Sequence, residues 1–368
     1  MSFPPLRDPF ATPDPTPSRP VDPTLPIQGT DSDALLSRWS AVQTGYLHDP
    51  YIQHFVPLRQ RRSQRRPPVI NRGTWVRTLA IDALVERFLE VTEDKERAGS
   101  EIKRQVVSFG AGSDTRYWRL MERLRIEKPG KSPNEQPRID AFRWHEIDFP
   151  SMIKKKAKTI ATTPDLLAPI RGTDGFESVH IDQSAGTIVS PSYCLHALDL
   201  TNLPSLAPND IPNLDPSLPT LFISECCLIY LPPDKVTGIL NWITGNFGSA
   251  GLLIYEPILP HTHFGKMMTH NLSSRDITLR TFGTYPDLRS QARRFLDGRF
   301  TAGTAKDINE LHDKWIPEDE IRRVQGVEML DEVEEWKLLG AQYCISWGYK
   351  EKDAGVNTWA GWRGLEDK

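Results

Sequence analysis

The chain has 368 residues, 38% of them hydrophobic, enough for one large domain with insertions or for two domains. A formal net charge of -3 and a pI near 6.3 give no overall pull toward nucleic acid or a membrane surface, so any partner must be recognised locally. The four cysteines (Cys194, Cys226, Cys227, Cys344) lack metal-type spacing, and no signal peptide or long apolar span is visible, which predicts a soluble cytoplasmic protein with reduced thiols, the nucleus also being open to it.

Residues 1–30 hold nine of the 31 prolines and almost no apolar pattern, and are expected to be an extended tail. From Asp31 the apolar residues Leu35, Leu36, Trp39 and Val42 recur at helical spacing, and Trp75, Leu79, Leu84, Val85, Phe88 and Leu89 predict a second helix. Between them the basic run Arg59 to Arg66 reads as a solvated loop, or alternatively as a localisation signal or a patch for an acidic partner.

Strands then alternate with helices, as in a mostly parallel sheet covered on both faces. Gln105 to Phe109 is a short apolar strand leading into Gly110-Ala111-Gly112, with a helix over Thr115 to Leu124. A second strand ends at Ile147-Asp148-Phe149-Pro150, a third (Tyr193 to Leu198) at Asp199-Leu200, a fourth (Leu221 to Ser224) at Glu225 and a fifth (Leu252 to Tyr255) at Glu256-Pro257. Pro232-Pro233-Asp234 opens a helix to Phe247. Residues 258–320 lose the alternation and read as an inserted helical lid. Val324 to Leu330 and Ala341 to Tyr349 are the expected final strands, the last antiparallel. The predicted organisation is thus a single domain over 31–350, with N-terminal helices (31–100), a core (101–257), a lid (258–320) and final strands (321–350), followed by a tail over 351–368.

In open α/β sheets ligands bind beyond the carboxyl ends of the strands. Gly110 and Gly112 let the backbone turn sharply and approach a ligand, and the following helix offers unpaired N–H groups. Asp148 stands where ribose hydroxyls would be held, Asp199 and Leu200 where an adenine ring and its amine would lie, and Glu225 near a ligand amino group. Each has a plainer reading, since tight turns need glycine and a strand-end Asp is often a helix cap. A dinucleotide turn wants a third glycine, whereas Gly110-Ala111-Gly112-Ser113-Asp114-Thr115 lacks it and would set Asp114 against a pyrophosphate. A cofactor without phosphate suits the turn better.

The stretches Gly45 to Phe55, Ile70 to Arg77, Phe109 to Thr115, Ile147 to Pro150, Ala197 to Leu200 and Ser224 to Tyr230 resemble the leucine carboxyl methyltransferase family. The likeness runs from Thr30 to Lys350. It implies a Rossmann-like class I methyltransferase sheet with N-terminal helices and a lid. It also implies S-adenosylmethionine contacts from Arg77, Gly110, Asp148, Asp199, Leu200 and Glu225. The family's basic residue on the first helix falls on Ser37 here, with Arg38 next to it. The implied reaction methylates the α-carboxylate of the C-terminal leucine of the protein phosphatase 2A catalytic subunit, forming a methyl ester that regulates phosphatase assembly.

An α-carboxylate, with pKa roughly 3.3–3.7, is already an anion at neutral pH, so no general base is expected. Arg77 and Tyr230 are candidates for positioning the substrate, with lid aromatics such as Phe282 and Tyr285 drying the site. No metal is expected; His261, His263 and His270 read as surface residues. The protein is expected to act as a monomer on a folded phosphatase. The rival readings are a carboxyl or tRNA-base methyltransferase, a silent cofactor-binding phosphatase regulator, and a nicotinamide oxidoreductase. The tRNA-modifying relatives carry a long C-terminal repeat domain, whereas this chain ends shortly after its last strand.

Overall fold

The computed structural model describes residues 22–62, 65–90, 104–126, 142–171, 179–351 and 358–365. Two helices come first, α1 (Leu25–Thr44) and α2 (Pro68–Leu89). Pro67-Pro68 starts α2, where a missing N–H costs nothing. The sheet strands are β1 (Arg104–Phe109), β2 (Phe142–Asp148), β3 (His180–Asp182), β4 (Thr187–Val189), β5 (Tyr193–Ala197), β6 (Thr220–Glu225), β7 (Ser249–Pro257), β8 (Ala302–Asp307) and β9 (Tyr343–Glu351). The helices between them are α3 (Arg116–Ile126), α4 (Pro150–Thr162), α5 (Pro164–Leu167), α6 (Pro233–Asn246), α7 (His263–Ser273), α8 (Leu288–Asp297), α9 (Ile308–Trp315), α10 (Glu318–Gln325) and α11 (Val333–Gly340).

Strand order among the described residues is β3-β4-β5-β2-β1-β6-β7-β9-β8. The five central strands β5, β2, β1, β6 and β7 are parallel, and β9 runs antiparallel between β7 and β8. The order reverses at β1, which has β2 on one side and β6 on the other, and this is where an open sheet leaves a crevice. Both faces of β1 are buried: Val106 joins the core under α2 and α3, Val107 and Phe109 the core under α6. The Rossmann-like sheet with an antiparallel last strand is therefore observed.

Four features differ from the sequence expectation. Helix α1 starts at Leu25, so residues 25–30, expected in the tail, are helical; residues 1–21 lie outside the described set. The strand expected at 324–330 is not one. Val324 closes α10, whose first turn carries Glu318, Asp319 and Glu320 beside the positive end of the helix dipole. The strand that pairs with β9 is instead β8, inside the stretch read as lid. The segment 358–365, expected in a tail, is packed. The Trp359 ring stacks on Phe88 with centroids 4.8 Å apart and its indole N–H donates to Ser249 Oγ, while the buried Trp362 donates to the Leu84 carbonyl at 2.9 Å. The short antiparallel pair β3 and β4 extends the sheet at its other edge.

Candidate active site

A cavity of 560 Å³ opens beyond the carboxyl ends of β1, β2, β5 and β6, roofed by α1 and α7. Its floor is the glycine turn. Gly110 (φ 61°) and Gly112 (φ 44°) are in the left-handed region, which penalises any Cβ. Space forbids one as well: at Gly110 it would lie 2.6 Å from Cys227 Sγ, and at Gly112 it would strike the Asp31 carboxylate. Asp31, on α1, holds the turn from above by accepting from Ser113 N–H at 2.8 Å and Ser113 Oγ at 2.7 Å.

Asp148 is the last residue of β2 and accepts from Gly112 N–H (2.8 Å) and Phe149 N–H (2.7 Å), one bond to each oxygen. Burial pushes its carboxyl up, and those two N–H groups pull it back only partly. Each oxygen retains acceptor capacity, and Asp148 lines the cavity. Asp199 caps the short 3-10 helix Leu200–Ser205 through Thr201 N–H and Oγ1, both at 2.8 Å, yet also lines the cavity with the buried Leu200. The capping and ligand-facing readings of Asp199 are compatible, because one oxygen does the capping. Tyr230 lines the cavity too, its phenol pushed well up by burial.

Glu225 departs from expectation. It is held by arginines rather than left open for an amino group: Arg116 Nη2 lies 2.7 Å from Oε1 and Arg77 Nε 3.5 Å from Oε2. Arg116 also bonds Asp82 (2.8 Å) and Asp114 (2.6 Å), so one buried guanidinium joins α2, the turn and β6. Burial alone would raise the Asp114 carboxyl, but Arg116 and Arg38 hold it down at about 2.

Two cations face the cavity with spare donors. Arg77 stacks over the Tyr255 ring at 5.0 Å, and Arg38, 6% exposed on α1, reaches Asp114 and Asp49 only at 3.7 and 3.9 Å. Arg38 Nη1 and Arg77 Nε have no hydrogen-bond partner, although both atoms are buried. Burial lowers the Arg38 pKa; for Arg77 the opposing charge of Glu225 outweighs burial and raises it. Such donors call for an anion from outside the chain. Ser37 also borders the cavity, but its hydroxyl donates back to the Asp33 carbonyl, so α1 presents its cation from Arg38. Arg38, Asp31 and Arg116 were not singled out as site residues in the sequence, since only the phase of α1 and the packing of α3 turn them inward.

The outer half of the cavity is apolar, lined by Phe264, Met268, Leu272, Leu279, Trp336 and Tyr343. Phe282 and Tyr285 do not line it: Phe282 is buried elsewhere, and Tyr285 covers Arg294, which pairs with Glu256 at 2.8 Å. His261, His263 and His270 are exposed on and beside α7 and do not line the cavity.

Lys156 braces the turn from below, donating to the Asp114 carbonyl at 2.8 Å while pairing with buried Glu146 at 2.5 Å. Burial pushes the Glu146 carboxyl up to about 7, against the pull of Lys156. A raised carboxyl binds its proton more tightly in the folded state, so its contribution to stability is full below about pH 4.5 and is lost as pH rises through about 7. Glu146→Gln should therefore flatten the pH dependence of unfolding between pH 5 and 8. Urea titrations at both ends of that range check it, and an unaltered slope would refute the assignment.

A family model for leucine carboxyl methyltransferases matches residues 27–244. The chain belongs to the leucine carboxyl methyltransferase family. It is 39% identical to leucine carboxyl methyltransferase 1 of Emericella nidulans over 92% of this chain and 88% of that protein. It is 35% identical to the Schizosaccharomyces pombe protein of the same name, over 89% of this chain and 95% of that one. It is also 34% identical to human tRNA wybutosine-synthesizing protein 4 over 87% of this chain but 43% of that protein. Human N-acetylserotonin methyltransferase, solved with S-adenosylmethionine, overlays loosely at a TM-score of 0.37 and 14% identity, across 90% of this chain and 72% of that one. As a leucine carboxyl methyltransferase family member, the protein is a methyltransferase enzyme. Among the described residues no helix is long and apolar enough to cross a membrane.

Gly110→Ala adds a Cβ at positive φ against Cys227, a cost of about 1–2 kcal/mol from conformation alone. The turn should shift, weakening cofactor affinity by roughly tenfold. Calorimetric titration reads this, and wild-type affinity in the variant would show that the turn does not touch the ligand.

Proposed function

We propose that the protein transfers a methyl group from S-adenosylmethionine to the α-carboxylate of the C-terminal leucine of the protein phosphatase 2A catalytic subunit, forming a methyl ester that regulates phosphatase assembly. The observation that carries the reading is a pair of arginines, the buried Arg38 and the part-buried Arg77, each with a buried nitrogen that has no hydrogen-bond partner, lining the cavity of the glycine turn and its apolar outer pocket. The residues fit a phosphate-free, zwitterionic adenosyl ligand. The turn leaves no room for a Cβ, Asp148 keeps acceptors for ribose hydroxyls, Leu200 and Asp199 offer an apolar face and an acceptor, and an arginine offers a fork to a carboxylate. When bound, S-adenosylmethionine supplies an electrophilic methyl group on a cationic sulfur.

The chain's own residues then orient and dehydrate the acceptor. The carboxylate arrives as an anion, so none of the cavity residues needs to take a proton from it. Phe264, Met268, Leu272 and Tyr343 surround the outer pocket with apolar surface, which suits a leucine side chain and favours a step in which opposite charges disappear. The protein is proposed to act as a cytoplasmic monomer, in the nucleus as well.

Incubation with labelled S-adenosylmethionine and the phosphatase catalytic subunit, intact or lacking its last leucine, tests the proposal. Label on the intact subunit alone is expected; equal labelling of both would overturn it. The 34% identity to a human tRNA wybutosine-synthesizing protein supports a second reading, so a tRNA acceptor belongs in the same assay.

A further inference from the structure

Away from the cavity, three side chains separated in sequence meet on one face of the sheet. His145 on β2 stands directly beside Cys194 on β5, and His196 follows two residues along the same strand. One nitrogen of each imidazole and the Cys194 Sγ all lie within 4.8 Å of one another, and His145 Nδ1 is 3.0 Å from His196 Nε2. Ligands at about 2.0–2.3 Å from a tetrahedral or trigonal ion are roughly 3.3–3.9 Å apart, so a slight parting of the two ring nitrogens and a small approach of the thiol would close the set on one ion. All three residues are buried, on the side of the sheet that also holds Val107 and Ile147.

The protein alone does not satisfy this cluster. The two neutral imidazoles share a single hydrogen bond, between His145 Nδ1 and His196 Nε2. The thiol has only weak neighbours, the Ser190 carbonyl at 3.5 Å and Asn213 Nδ2 at 3.7 Å. The donors are held on paired strands, which limits their drift. The site has a surface rim: the half-exposed Arg143 bridges the carbonyls of Pro191 and Asn213 at 3.0 and 2.7 Å, and Asn213 is in a left-handed turn beside the thiol.

We propose that His145, Cys194 and His196 form a structural site for one soft closed-shell cation, Cu+ or Zn2+. A set of two imidazoles and one thiolate, with no carboxylate or carbonyl aimed at the centre, selects these over Mg2+ or Ca2+. On binding, the Cys194 thiol gives its proton to solvent. The N–H shared by the two rings moves to the outer nitrogen of its own ring, so one proton is released per cation. β2 ends three residues beyond His145, at Asp148, and Asp199 lies three residues beyond His196. A cation here would tie together the two strands that carry these cavity residues.

The test loads metal-stripped full-length protein with Cu+ or with Zn2+, separately, under anaerobic reducing conditions and against a competing chelator, then counts bound metal by mass spectrometry. Wild type should keep close to one equivalent more than Cys194→Ser, which removes the thiolate at almost constant volume, and the better-retained ion identifies the cation. Because the exposed histidines are the same in both proteins, the difference isolates this site. If Cys194→Ser fails to fold, His196→Phe serves in the same comparison, and a rise in wild-type melting temperature at one equivalent is the second readout. Equal retention by wild type and a folded variant, or no retention of either ion with no rise in melting temperature, would overturn the proposal.

Discussion

Asp82→Ala is expected to destabilise the protein by about 3–5 kcal/mol, enough to leave many single domains largely unfolded at physiological temperature. Asp82, 3% exposed on α2, accepts from Arg116 at 2.8 Å and from Arg119 at 2.6 and 3.2 Å, with Arg123 at 3.6 Å. Burial alone would raise its carboxyl, but Arg119 and Arg116 hold it far below the usual range. Removing it takes the nearest carboxylate from the buried Arg119, which keeps only Asp49 at 3.7 Å, and one of three carboxylates from the buried Arg116. Asp82→Asn should lose most of the same stability, because it keeps volume and loses charge. Urea denaturation gives the answer, and a loss of only about 1 kcal/mol would mean that the network is as solvent-screened as a surface pair. The same carboxylate positions Arg116, which spans to Glu225 and Asp114, so a variant stable enough to assay should also bind S-adenosylmethionine less well.

Arg77→Ala is expected to cost about 1.5–3 kcal/mol of ligand binding, an approximately 10- to 150-fold weaker affinity, with little change in melting temperature. Arg77 is not needed to neutralise Glu225, because Arg116 pairs with it more closely, 2.7 Å against 3.5 Å. Arg77→Lys keeps the charge but loses the planar fork and its stacking on Tyr255, and should recover only part of the affinity. Titrations with S-adenosylmethionine and with its methyl-depleted product separate the roles. Equal losses for both place Arg77 on the amino-acid end of the ligand. Unchanged affinities with a higher KM for the phosphatase would move it to the acceptor.

The parts of the fold that could be read from sequence were those with one period and a sharp end. β1 carries Val106, Val107 and Phe109 straight into Gly110-Ala111-Gly112, as a buried parallel strand followed by a tight turn does. β8 escaped because Ala302-Gly303-Thr304-Ala305 has no branched apolar residue; it is a strand through its pairing with β9 rather than through its own side chains. The stretch after Val324 misled in the opposite sense, since its scattered apolar residues imitate a strand, whereas α10 ends at Gln325 and residues 326–330 form turns and irregular backbone. At the site, the carboxylates at strand ends were visible because strand ends are. Arg116 and Arg119 were not, because arginines at i and i+3 on a helix look like a solvent face until Asp82 of α2 is seen opposite them. For the same reason no spacing rule links His145 to Cys194: the relation is made by the pairing of β2 with β5.

The strand order also constrains how the chain can be made. Among the described residues β8 pairs with β9 alone, and β9 inserts between β8 and β7, although it is synthesised after three further helices. Until residues 343–351 leave the ribosome, the nascent protein carries two unpaired strand edges, those of β7 and β8. Such edges recruit other extended chains. The last strand therefore acts as a closing step of biosynthesis. Slow translation between β8 and β9 should prolong the aggregation-prone stage, whereas pauses before β7 should be tolerated.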